Sequence, residues 1–139
     1  VALLPDLLAR PLDLSLRTQM SLAALEAGLA FSQTRTALAH ALSYDLTLHH
    51  GVPHGLACAL WLPTAWRMAA GRSVSADTCL AEVFGVPAKE GAARLQTWLN
   101  SLGIDTSPAA FAACGVTDPE QRVNAALRSP RGRNFIGAT

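Results

Sequence analysis

Charge is scarce in this chain of 139 residues. Only 15% of its residues are Asp, Glu, Lys or Arg, and eleven basic residues nearly balance ten acidic ones, for a formal net charge of +1. A near-neutral chain lacks the basic face expected of a general nucleic-acid binder, which argues against that class of partner. Lysine is almost absent: Lys89 stands alone beside ten arginines, a bias from which no function follows. The three cysteines, Cys58, Cys79 and Cys114, are widely spaced and form no C-x-x-C pair. They are expected to be reduced, small apolar residues of a cytoplasmic protein. There is no signal peptide, and no uninterrupted apolar run of membrane-spanning length. The most apolar stretch, Gly55 to Ala70, is broken by Pro63 and carries Arg67, so it reads as a buried helix rather than a membrane span.

An alternating strand pattern is missing as well. Half the residues are apolar, enough for a globular core, and their spacing is helical. Asp13 or Ser15 caps a long helix to about Phe31, apolar on one side through Leu16, Met20, Ala23, Ala27 and Ala30 and on another through Leu22, Leu25 and Leu29. A helix apolar on two sides belongs in the middle of a bundle. Thr34–Ser43 continues as a second helix, and Tyr44–Val52 breaks the pattern. Pro53 suits the first position of a further helix running to about Ala69. Shorter helices follow: Ala76-Asp77 to Phe84, Ala88 to Leu102, Ser107 to Ala113, and Asp118 to Leu127, the last opened by an Asp-Pro cap. Trp61, Trp66 and Trp98 read as core. The expected fold is all-α, a multi-helix bundle over residues 1–139. Because Val1 begins as if inside a helix already under way, the chain is expected to be a fragment of a longer protein.

Against this plain background all four histidines, His40, His49, His50 and His54, fall within one fifteen-residue window. Neutral imidazole is the commonest metal ligand among side chains. His50 and His54 have the i, i+4 spacing of a helical pair, but Gly51 and Pro53 lie between them and break the helix. His40 and His54 are the better pair, one near the end of a helix and the other in the first turn of the next. A loop folding back would bring them together, and the positive end of the helix dipole would keep His54 neutral and able to ligate. Two imidazoles do not make a tight site alone, and Asp45 is the only carboxylate nearby.

The stretch AGLAFSQTRTALAHALSYDLTLHHGVPHGLACALWLP resembles the signature of the iron-containing, group III alcohol dehydrogenases. In that family a GLAFSN-like helix leads to a ligand histidine, and fourteen residues later a second ligand sits in Pro-His-Gly, ahead of an apolar helix ending in Leu-Pro. Here His40 is followed fourteen residues on by His54 in Pro53-His54-Gly55, and then by Leu62-Pro63. The resemblance implies a C-terminal helical domain of the dehydroquinate-synthase-like fold, with His40 and His54 as metal ligands. It implies Fe2+ or Zn2+ acting as a Lewis acid on a substrate oxygen while hydride passes between the substrate and NAD or NADP. A small alcohol or aldehyde would be the substrate, and a homo-oligomer the assembly.

The departures are specific. Where many members carry another histidine facing the nicotinamide, this chain has Tyr44, the candidate catalytic residue. Gln33 and Ala37 replace a usual Asn and Gly, a combination that resembles members acting on phosphonate-type aldehydes. The family's other two ligands, an Asp and a His one helical turn apart, should precede this region, yet no D-x-x-x-H lies upstream of His40; the one match, Asp45 to His49, is misplaced. No glycine-rich nucleotide loop is present, so the cofactor would be bound mainly by an N-terminal domain outside this chain, and the chain alone is expected to be inactive. With Tyr44, His49 and His50 are candidates for the pocket wall or a proton relay, the alternative for these two being loop residues that pack the helix junction. Arg128, Arg131, Arg133 and Asn134 form the one basic cluster, either a solvated surface or a contact for an anionic substrate or cofactor phosphate. The alternative from another class is a non-catalytic helical scaffold that retains the motif; a related polyol dehydrogenase or dehydroquinate-synthase-like enzyme fits the spacing less well.

Overall fold

In a computed structural model that describes residues 1–136, the chain forms eight α-helices and one 3₁₀ turn, and there is no strand among the described residues. The all-α expectation holds. The chain divides into two compact units, Val1–Arg35 and Thr36–Thr139.

The first unit is α1 (Leu3–Ala9) and α2 (Leu14–Ser32). Asp13 starts α2 as expected: its carboxylate accepts the Leu16 amide at 3.1 Å and pairs with Arg10 at 3.2 Å, satisfying an otherwise orphaned helix donor. Leu16 is buried, but Leu22, Leu25 and Leu29 are exposed. Within its own unit, α2 is therefore covered on neither of those sides along its full length. The other helix of the unit has seven residues against nineteen, about 10 Å of cylinder beside about 28 Å, so it cannot cover both apolar sides.

The second unit contains α3 (Leu38–His50), α4 (His54–Ala69), α5 (Val74–Phe84), α6 (Ala88–Ser101), α7 (Pro108–Ala113), α8 (Pro119–Arg128) and a 3₁₀ turn at Gly132–Asn134. Tyr44–Val52 does not break the helix as its polarity suggested. Leu38, Leu42 and Leu46 form one i, i+4, i+8 stripe, all buried, and that stripe carries α3 through to His50. The chain leaves the helix only at Gly51, whose φ of +67° suits glycine. Pro53 lies just outside α4, at its N-cap, rather than in the first helical position, and α4 then runs through Pro63 without interruption. In α5 the cap is Ser73, whose hydroxyl accepts the Ala76 amide at 3.1 Å, so the helix begins at Val74, two residues earlier than the Ala76-Asp77 signal implied. Asp118 caps α8 as expected, accepting the Gln121 amide; Ser107, expected as the first residue of its helix, lies just outside α7 and caps it by accepting the Ala110 amide.

Two apolar clusters hold this unit. The leucine stripe of α3 packs on Ala57, Leu60 and Trp61 of α4 and on Phe111 and Val116, with the Trp61 and Phe111 rings 4.6 Å apart. Trp66, Ala92, Leu95 and Leu99 form the second. There the Trp66 Nε1–H donates to the Ala88 carbonyl at 2.7 Å, which makes burial of the indole inexpensive. Trp61 and Trp66 are core as expected; Trp98 is only half-buried.

Candidate metal centre

The α3–α4 packing sets where the histidines fall. His40 lies in the first turn of α3 and Tyr44 one turn later, off the leucine stripe and half-buried. The turn from Gly51 to Pro53 sends the chain back along α3, and His54 opens α4. Its Nδ1 reaches the Oγ of Ser43 at 3.4 Å, and its ring centroid lies 5.3 Å from that of His40 and 6.0 Å from that of Tyr44. The fold thus brings together His40, His54 and Tyr44, the three residues singled out in the sequence. A three-residue turn does this, not the long loop expected.

Cys58 joins them. One turn into α4 from His54, its Sγ lies 3.7 Å from His54 Nε2, and single donor atoms of His40, His54 and Cys58 all lie within 4.8 Å of one another. Donors this close need only small side-chain adjustments to meet around one divalent ion. Sequence reasoning grouped Cys58 with Cys79 and Cys114 as a buried apolar residue. None of the three is buried: Cys58 and Cys114 are half-buried and Cys79 is exposed. The signal that distinguishes Cys58 is in the sequence: with His54 expected in the first turn of a helix, a residue four further on shares its face, and that pairing was passed over.

The other two histidines lie elsewhere. His49 is exposed and stands outside the group. His50 Nε2 is 3.8 Å from Asp45 Oδ2, and its ring occupies the space a Cβ on Gly115 would need. Asp45 is paired with Arg122, and that pairing commits the one nearby carboxylate to the α3–α8 contact instead of to a metal. The packing alternative for His49 and His50 describes His50.

One member of the C-terminal basic cluster reaches the site. The guanidinium of Arg131 lies over the Tyr44 ring, Cζ 4.9 Å from the centroid, a cation–π arrangement. Asn134 Nδ2 donates to the Thr36 carbonyl at 3.1 Å and Arg133 Nε to the Arg128 carbonyl at 3.2 Å, so the segment is pinned to the start of α3. The pKa of His40 is lowered, first by burial, then by His54 and Arg131. A neutral imidazole is the ligating form.

Two imidazoles and a thiol gathered at one helix–helix corner are donors that could hold a divalent ion. The family model described as "Fe-containing alcohol dehydrogenase family, C-terminal" matches residues 1–129, and the chain belongs to that family. No curated protein and no solved structure matches it. Among the described residues, no helix is long and apolar enough to cross a membrane.

Proposed function

We propose that this chain is the metal-holding, C-terminal helical portion of a cytoplasmic NAD(P)-linked alcohol dehydrogenase or aldehyde reductase acting on a small alcohol or aldehyde. The observation that carries this reading is the convergence of His40 and His54, fourteen residues apart in sequence, to rings 5.3 Å apart. These two residues hold a divalent ion, Fe2+ or Zn2+, which when bound supplies Lewis acidity to an alcohol or carbonyl oxygen during hydride exchange with the nicotinamide. The chain's own residues prepare the place. Burial and the neighbouring cation keep His40 in its ligating form. Tyr44 offers a phenol beside His54 for proton exchange with the substrate oxygen, and Arg131 over its ring holds that ring in place. NAD or NADP is bound mainly outside this all-α portion.

The test is oxidation of NADH and NADPH by the intact gene product across a panel of small aldehydes, after reconstitution with Fe2+ or Zn2+ without oxygen. Turnover is expected, with metal content and activity both lost in His54→Ala. In Tyr44→Phe, kcat should fall about 10²–10⁴-fold, the range for a general acid–base group, with metal content unchanged. Neither metal uptake nor turnover after reconstitution would sink the reading. Association into a homo-oligomer belongs to the same reading, and sedimentation of the intact product reads it out.

A further inference from the structure

We propose that Cys58 is a protein ligand beside His40 and His54, in a centre that prefers a thiophilic divalent ion such as Zn2+. This rests on reading His40 and His54 as ligands, and adds to it the donor that decides which ion is preferred.

The geometry is that of a coordination sphere. Tetrahedral zinc, with Zn–S of about 2.3 Å and Zn–N of about 2.0–2.1 Å, places a sulfur and a nitrogen ligand about 3.6 Å apart. Cys58 Sγ and His54 Nε2 are 3.7 Å apart. Both belong to α4 at i, i+4, so one helix face presents them together while α3 supplies His40.

The surroundings select the correct nitrogen of His54. Ser43 is fully buried, and its hydroxyl donates to the His40 carbonyl at 2.9 Å. With its proton so used, the Ser43 oxygen faces His54 Nδ1 at 3.4 Å as an acceptor. That assigns the ring proton to Nδ1 and leaves the Nε2 lone pair directed at the side where Cys58 lies. An outer partner that fixes the tautomer of a ligand histidine is a recurring feature of metal sites. The thiol releases its proton on binding, and the resulting thiolate shifts preference away from hard ions such as Mg2+ and Mn2+.

The competing account is a thiol hydrogen-bonded to His54 with no part in ligation. Optical titration separates the two. Co2+ is added without oxygen to the metal-free chain, to Cys58→Ser and to His54→Ala, with helix content followed by circular dichroism. The expected result is one Co2+ per chain and an intense thiolate-to-cobalt charge-transfer band, absent in Cys58→Ser. Zn2+ should displace the Co2+, and its affinity should fall about 100-fold or more in Cys58→Ser, since losing an outer-shell partner alone costs about 10–100-fold. In the unsubstituted chain, where no folding defect can intervene, Zn2+ should protect Cys58 from alkylation and leave the exposed Cys79 reactive. Co2+ bound through His54 with no such band, or with the band unchanged in Cys58→Ser, overturns the Cys58 assignment and leaves the proposed function standing. No uptake of Co2+ or Zn2+ by the chain overturns the Cys58 assignment, while the proposed function is judged by metal uptake of the intact gene product.

Discussion

In α2, Leu22, Leu25 and Leu29 recur at intervals of three and four residues and stand 54%, 58% and 61% exposed; in α3, Leu38, Leu42 and Leu46 recur at four and are 1%, 5% and 0% exposed. Both stripes are made of the same residue at helical spacing, so spacing alone does not decide burial. The difference is the partner. The α3 stripe meets Trp61 and Leu60 of α4 and Phe111, whereas the first unit offers α2 only a seven-residue helix. The donor atoms follow the packed region: His40, Tyr44, His54 and Cys58 all sit on α3 and α4 beside that leucine stripe. Functional geometry held to within a fraction of an ångström needs side chains on elements whose own packing is fixed.

The comparison breaks most forcefully at Leu46. Leu46→Ala removes a fully buried side chain and should cost about 2–5 kcal/mol of stability, transfer and cavity together. Urea unfolding followed by circular dichroism measures it. A loss below about 1 kcal/mol, ordinary for a surface site, would mean that the α3–α4 core is not closed in solution. Gly91 in α6 comes next. A Cβ there would overlap the Trp66 indole, which is itself anchored by its bond to Ala88 and cannot simply swing away. Gly91→Ala should therefore destabilise by about 1–3 kcal/mol, the usual cost of overpacking, despite the better helix propensity of alanine.

Such pairs of positions show what local signals carry. The side-chain caps at Asp13 and Asp118 act within three residues, and the sequence names both, Asp13 with Ser15 as its alternative. The sequence also points to the His40 and His54 pair, because a family signature records their spacing. Two features were hidden because their causes lie elsewhere in the fold, whereas the His54–Cys58 pair, four apart on an expected helix, was legible and passed over. The polar segment after Ser43 is helical only because Leu46 finds a partner in α4. Arg131 comes to rest on Tyr44 through the pinning of the C-terminal segment to Thr36, a contact between the two ends of the second unit that no short window contains. Asp45 is the converse: close to the histidines in sequence, it is drawn off by Arg122.

Gly28, within α2, is the counterpart of Gly91. Nothing lies within 4 Å of a Cβ built there, and its helical backbone suits any residue. Gly28→Ala should raise stability by about 0.5–1 kcal/mol, the entropy that glycine forfeits inside a helix. The same substitution thus carries opposite signs in the two units, read from paired urea melts. A loss at Gly28 would show that α2 is covered in solution.

The smallest effect is expected at Leu25, and it is the sharpest test because the change is chemically the same as at Leu46. Leu25→Ala keeps helix propensity nearly constant and removes atoms already facing water, so the stability of the chain should move by no more than about 0.5 kcal/mol. The measurement is made at two protein concentrations a hundredfold apart. If the cost is small at both, the α2 stripe is solvent-exposed in the free chain and the contrast with α3 stands as described. If it approaches that of Leu46→Ala, and grows with concentration, copies of the chain bury α2 against one another, since only association makes stability depend on concentration in this way. The two helices would then differ in where their partner comes from rather than in whether they have one.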